Sequence, residues 1–346
     1  MLKKLKIENF TCFSKSALTF SKGLNVIVGE NGTGKSHLLK LCYAVLRSLA
    51  WPDASFAKEA YARDFAKHLT AVFRADRLGR LASRVHGHSS CTIRASWPEK
   101  WELVCNFSPK NTERVHLDSF SCNTAISLPL FLPPKEILSV YSGFYHAIST
   151  RELHFDATYL DLAKALSAKP LKGPRKGSIA SSLELLEQTI GGTVKLENDA
   201  FYYYGNQSQK NSVNKRLEAP LMAEGHRKLG MLVYLLQTGG LQERSSLFWD
   251  EPESNLNPCL IKKLASILVD LSKIMQITVA THSLFLLREL EIMQEKKSLP
   301  NVRYFGLHFA KNGVDVTAGD SANDIGDLAM LDASIAQSEE YLQCGM

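Results

Sequence analysis

The stretch LNVIVGENGTGKSHLLKLCYAVL, residues 24–46, constrains this chain more than any other. Leu24 to Val28 form a short, β-branched apolar run, the profile of a buried strand. Gly29 to Ser36 then satisfy G-x-x-x-x-G-K-[ST] at every fixed position, and Leu38, Leu39, Cys42, Val45 and Leu46 recur at helical spacing behind it. Strand, glycine-rich turn and helix in that order make a phosphate cradle. Gly29, Gly32 and Gly34 let the backbone curl so that its N–H groups converge on anionic oxygens. The helix N-terminus adds partial positive charge. Asn31, Gly32, Thr33, Gly34, Lys35, Ser36 and His37 are therefore the candidate nucleotide-binding residues. Lys35 is expected to reach the β- and γ-phosphates and the Ser36 hydroxyl a Mg2+ ion.

A polyphosphate with its cation calls for acids, and LFWDEPESNLNP at 247–258 supplies two at the end of an apolar run. The pattern predicts a strand beside the first, ending in Asp250 as the acid that holds the metal. Glu251, one residue on, stands where a general base polarises the attacking water. IMQITVATHS at 274–283 predicts a further strand, with His282 at its C-terminal end, where ligands sit in open α/β sheets. His282 is a candidate partner of the γ-phosphate or of that water.

Taken with the N-terminal IENFTCF, the order GENGTGKS, FWDEPESNLNP, VATHS resembles the ABC-type ATPases, and more closely their SMC, RecF and OLD-like branch. The likeness covers roughly residues 1–50 and 215–290. It implies an α/β P-loop NTPase fold, an ABC-type ATPase head with a mixed sheet and a compact helical lobe. It also implies ATP and Mg2+ as ligands, and a homodimer in which each phosphate loop faces the signature helix of the other subunit. The segment 221–235, LMAEGHRKLGMLVYL, matches the signature position, with Glu224, Gly225 and His226 as trans contacts. The loop Ser254, Asn255, Leu256, Asn257 matches the stretch that crosses the dimer interface; a helix cap at Ser254 or Asn255 is compatible with that role.

Two departures stand out. Ala223 occupies a position where the family often has a serine, so no hydroxyl is offered there to a trans γ-phosphate, although Arg227 or Lys228 could add charge. The family also places a glutamine near the Mg2+, and this chain has none before Gln188. LFLPPKEIL at 130–138 falls in roughly the right place, with Lys135 or Glu136 as substitutes, or as a proline-kinked connector only.

One domain is expected over 1–346, with a core lobe at about 1–50 and 240–346 and an inserted lobe at about 51–239. In the insert, Ala57 to Leu81 reads as a helix, CTIRASWPEKWELVCNF as two strands turning at Pro98 and Glu99, and Leu160–Ala168 and Ser182–Ile190 as helices. KPLKGPRKG, 169–177, suits a phosphate backbone or a solvated linker. VKLENDAFYYYGN reads as one strand whose tyrosines stack on bases or pair across an edge. The insert is too short for the long coiled-coil arm of an SMC protein. Two strands, VRYFGLHF and GVDVTA, and a helix close the chain. No D-x-D follows residue 290, so a Toprim nuclease unit is not expected, and a nuclease or toxin effector would be a separate chain.

A net charge of +6 permits contact with nucleic acid without demanding it. Seven cysteines, an odd number with no CxxC pair, predict reduced thiols and no zinc site. No apolar run approaches the ~20 residues of a membrane span, and no signal-like stretch follows the N-terminus, so a cytoplasmic protein without a membrane partner is expected. The expected activity is slow ATP hydrolysis in the service of an effector in a bacterial or phage defence system. A RecF-like repair ATPase acting on DNA and a non-hydrolysing ATP-bound scaffold are the alternatives.

Overall fold

The computed structural model describes residues 1–50, 58–83, 90–98, 101–121, 127–150, 153–206, 216–296, 298, 301–326 and 329–344, with 329–335 and 338 by backbone alone. The helix start at Ala57 and the turn residue Glu99 lie outside them.

A central sheet organises the molecule. Its strands are β3 (Leu24–Gly29), β7 (Leu130–Leu132), β11 (Ser246–Asp250), β12 (Gln276–Thr281), β13 (Val302–Ala310) and β14 (Gly313–Gly319). They run in the order β14-β13-β3-β12-β11-β7, all parallel except the antiparallel β13–β14 pair. Strands buried on both faces read as continuous apolar runs, and both faces here are covered. Val26, Val28, Leu247, Trp249, Ile277, Val279 and Tyr304 point to one core. Ile27, Phe131, Phe248, Ala280, Phe305 and Leu307 point to the other.

The second core lies between this sheet and an antiparallel one. The latter comprises β1 (Lys4–Phe10), β2 (Phe13–Thr19), β4 (Cys91–Trp97), β5 (Trp101–Phe107) and β6 (His116–Ser121), in the order β2-β1-β4-β5-β6. Helix α1 (Lys35–Leu49) fills the space and is buried nearly all round. Strands β4 to β6 come from the stretch the sequence grouped with the insert, yet β4 pairs with β1 along Lys4↔Ser96 to Glu8↔Thr92. Alternating apolar residues such as Cys91, Ile93 and Ala95 need a sheet to lie on, and β1 offers its free edge.

The first core carries the helical lobe: α3 (Tyr141–Ser149), α4 (Ala157–Leu166), α5 (Gly177–Ile190) and α6 (Glu224–Thr238), with α7 (Pro258–Ser272) beneath the sheet and α8 (Leu284–Glu295) alongside. A small antiparallel sheet, β8 (Gly192–Glu197), β9 (Ala200–Gly205) and β10 (Leu217–Glu218), completes it. VKLENDAFYYYGN is thus a hairpin, not one strand: Asn198 and Asp199 both take positive φ, 47° and 60°, the conformation of a two-residue turn. Its tyrosines are held locally. Tyr203 Oη donates to Ile190 O at 2.9 Å, and the Arg216 guanidinium lies 3.6 Å over the Tyr202 ring.

Helix α2 (Lys58–Phe73) ends earlier than expected, because Arg74 turns to φ 50°; a separate 3-10 turn covers Leu78–Leu81. A helix, α9 (Ala329–Cys344), follows the last strand.

Candidate nucleotide and metal site

The parallel register brings three strand ends to one edge. Asp250 is opposite Ala280, Ala280 opposite Ile27, and Thr281 opposite Val28. The expectation that the acid-ended strand lies beside β3 is corrected here: β12 lies between β3 and β11. Strand order is not written in apolar profile, and β11 and β12 are equally buried runs. Helix α1 crosses over β12 to β11, so Ser36 on its first turn comes near Asp250 and holds its carboxyl pKa down.

The phosphate loop is shaped by its own backbone. Gly32 and Gly34 have φ of 86° and 88°. A Cβ on Gly34 would run into Cys12 Sγ and lie 3.1 Å from Phe13 Cζ, in the turn between β1 and β2. Thr33 Oγ1 donates to Glu30 O at 2.8 Å. Lys35 Nζ donates to Gly29 O at 2.8 Å and Glu30 O at 2.9 Å, folded over the loop. Burial lowers the Lys35 pKa, and Glu251, Asp250, Glu253 and Glu30 oppose that shift. Asn31 and Gly32 are exposed, and His37 sets its ring against Phe73 at 5.6 Å.

Asp250 is 3% exposed, and its Oδ1 has no hydrogen-bond partner. Its carboxyl is pushed up to about 6, first by burial and then by Glu251, against the Ser36 hydrogen bond and the Lys40 and Lys35 charges. A buried acid oxygen left over beside a serine hydroxyl fits a hard divalent cation that takes oxygen ligands and keeps waters. Among the described residues no cluster of three or more His, Cys, Asp or Glu could hold a metal ion.

Glu251 has φ 47°, and its N–H donates to Ala280 O at 2.9 Å. Its Oε1 lies 3.4 Å from His282 Nδ1. Lys35, Ser36, Asp250, Glu251 and His282 therefore share one edge. Sequence reasoning missed Glu253. It is buried, accepts from Thr281 Oγ1 at 2.5 Å and leaves Oε2 unpartnered, and burial raises its pKa. It also missed Lys40, which pairs with Asp156 at the start of α4 at 2.7 Å. Both are polar side chains whose role depends on what packs above them, which apolar periodicity does not signal.

The signature segment is tied inward. α6 starts at Glu224 behind Ala223, whose side chain makes no cap. Glu224 Oε1 accepts from Asn255 Nδ2 at 2.7 Å. A Cβ on Gly225 would come within 2.5 Å of Leu256 Cδ2. His226 is half-buried, and burial followed by the Lys263 charge lowers its pKa. Neither basic neighbour is free to reach another subunit. Arg227 pairs with Glu136 at 2.6 Å and Lys228 is wholly buried. Of the two residues offered in place of the missing glutamine, Glu136 has its carboxylate held by Arg227 and by the Ser139 amide and hydroxyl, while Lys135 is exposed. Ser254 Oγ donates to Glu251 O at 3.0 Å. The cap of α7 is Asn257, not Ser254 or Asn255: its Oδ1 accepts from Leu260 N at 2.9 Å, with Pro258 next.

Two family models match the chain: "AAA ATPase domain" over residues 1–82 and "AAA domain, putative AbiEii toxin, Type IV TA system" over residues 138–288. Curated relatives include the DNA double-strand break repair Rad50 ATPases of Pyrococcus abyssi, 40% identical over 50 residues, and of Halobacterium salinarum, 37% identical over 54 residues. These matches span 14% and 16% of this chain but only 5% and 6% of those proteins. Among solved structures, an SMC head bound to the C-winged helix domain of ScpA aligns with TM-score 0.53 at 17% identity, covering 93% of this chain and 98% of that one. An SMC head with an extended coiled coil, bound to the C-terminal domain of ScpA derived from Pyrococcus furiosus, aligns with TM-score 0.51 at 15% identity, covering 98% and 99%. At such identities the structural likeness speaks for the fold, and it is the head fold that the sheet order describes. Fold, matched segments and motif order together support an ABC-type ATPase of the SMC, RecF and OLD-like branch.

Proposed function

We propose that this protein binds Mg2+–ATP at the shared strand edge, closes as a homodimer around two nucleotides, and hydrolyses them slowly. The observation that carries the proposal is the convergence of Lys35, Ser36, Asp250, Glu251 and His282 on one edge of the sheet. Loop N–H groups and Lys35 would bind the phosphates. Ser36 and Asp250 would hold Mg2+, which supplies charge neutralisation at the transferred phosphoryl group. Glu251 would accept the proton of the attacking water, and His282, on the same carboxylate, would steady that water or the γ-phosphate. Slow turnover is expected because Ala223 brings no hydroxyl to the partner's nucleotide.

The Glu251→Gln variant tests this. ATP binding and an ATP-dependent dimer should persist, while turnover drops by about 100-fold, the order expected for a lost general base. Unchanged turnover would instead place the chain among nucleotide-holding scaffolds.

For the biological role, the match of residues 138–288 to a model described with a toxin system favours an ATPase that senses or regulates for a separate nuclease or toxin. Capture of partners on the ATP-locked Glu251→Gln protein would show such an effector. The second reading, a repair ATPase acting on DNA, draws on the similarity to Rad50 proteins. It predicts ATP-dependent DNA affinity that falls steeply with salt. Among the described residues no helix is long and apolar enough to cross a membrane.

A further inference from the structure

Lys228 stands in the second turn of α6 with no exposed surface. Its Nζ donates to Ser254 O at 3.0 Å and to Glu251 O at 3.3 Å, and it also contacts Ser254 Oγ. Burying an ammonium is costly unless its donors are satisfied. A methionine of similar volume would fill the space without that cost. What the ammonium adds is direction, and it is aimed at the backbone of the residue after the metal-binding acid.

That residue needs holding. Glu251 keeps a left-handed φ of 47° without being glycine, a conformation that persists only when its surroundings over-determine it. Its N–H is anchored on Ala280 O. Its carbonyl accepts from Lys228 Nζ, from Ser254 N at 3.2 Å and from Ser254 Oγ at 3.0 Å. Glu224–Asn255 and the Gly225–Leu256 contact clamp the same loop to the same helix one turn earlier. The first two turns of α6 and residues 251–256 are therefore tied together.

We infer that Lys228 is a positioning residue that passes the placement of the α6 N-terminus to Glu251, so that the water-activating carboxylate is aligned when a partner's nucleotide engages that N-terminus. The inference rests on the ATP-dimer reading above. Lys228 bonds the Glu251 and Ser254 carbonyls and the Ser254 hydroxyl, and it acts through the Glu251 carbonyl. Misplacing a catalytic group by about 1 Å can cost on the order of 100-fold in rate, so the link is worth a measurable share of turnover.

The test compares full-length wild type with Lys228→Met, Ser254→Ala and Ser254→Thr, using ATP and Mg2+. Thermal melts first establish that each variant folds. The readouts are ATP affinity, kcat and the Hill coefficient of hydrolysis. Lys228→Met should keep its ATP affinity within about twofold while kcat falls at least about tenfold and the Hill coefficient drops from near that of a two-site dimer toward that of independent sites. Ser254→Ala should move in the same direction and Ser254→Thr, which keeps the hydroxyl, should not. If Lys228→Met does not fold, the serine pair decides. A Lys228→Met enzyme with wild-type kcat and cooperativity overturns the inference alone, as does a loss of affinity matching the loss of rate. A wild type that hydrolyses no ATP, or does so without cooperativity, sinks the dimeric-ATPase reading and takes this inference with it.

Discussion

The two halves of the candidate site are built by different means. On the phosphate-loop side the work is done by main chain: Gly32 and Gly34 at positive φ, the Thr33 and Lys35 bonds to loop carbonyls, and strands in continuous parallel register. On the signature-helix side it is done by buried charge: Arg227 on Glu136, Lys228 on the Glu251 and Ser254 carbonyls, Glu224 on Asn255. Main-chain geometry tolerates changes of pH and salt but not an added methyl group. Buried ions tolerate small changes of shape but not the loss of one partner. The head thus has a stiff floor and a wall held by a few specific ions, and the wall is the part that another subunit or an effector could adjust.

Adding one carbon to the floor should produce the largest effect. Gly34→Ala combines left-handed strain with the collision on Cys12 Sγ, and ATP affinity by calorimetry should fall by at least about 100-fold. Near-normal binding would mean the floor is more pliable than its φ values imply. In the wall, Arg227→Met leaves the Glu136 carboxylate, 5% exposed, without its cation. Chemical denaturation should show a loss of about 3 kcal/mol, and the double variant Arg227→Met/Glu136→Met should recover most of it. An additive double variant would show that the pair does not hold the wall.

A smaller effect lies where floor and wall meet. The Asp250 carboxyl is pushed up to about 6 in the metal-free fold, against about 3.9 in an unfolded chain. Between those values the folded state binds the extra proton, so metal-free stability should fall as pH rises from about 4 to about 6, by roughly 3 kcal/mol at most. Mg2+ bound to the ionised acid should reverse this, and its stabilising effect should be larger at pH 7.5 than at pH 5. Melting curves of wild type against Asp250→Asn isolate the contribution; identical pH profiles with and without the acid would contradict it.

The floor was legible in the sequence and the wall was not. Glycine loop, paired acids and VATHS are contiguous strings whose chemistry depends on local backbone and on strand ends. Arg227, Lys228, Glu136 and Glu253 are single polar residues whose partners lie far along the chain: Lys228 meets Ser254, and Glu253 meets Thr281. The charges of Arg227 and Lys228 suggested a contact across a dimer because a basic residue on a helix is usually solvated, and only packing shows these two to be tied inward. The placement of β12 between β3 and β11 was invisible for a similar reason, since each strand is an apolar run of the same kind. The β8–β9 hairpin was a different miss, because Asn198-Asp199 is a recognisable two-residue turn signal that the aromatic run behind it obscured.

The sheet order carries a consequence for biogenesis. β3 is made well before both its neighbours, β12 at 276–281 and β13 at 302–310. At about 5–20 residues per second of synthesis, the strand that precedes the phosphate loop waits roughly 15–55 seconds for its flanks. During that time β1 and β2 can pair with each other and later with β4, but the loop has no sheet to project from. A growing polypeptide of this kind completes the strand edge only after β12 and β13 have been made, so a product terminated before them lacks both flanks of the strand that carries the loop.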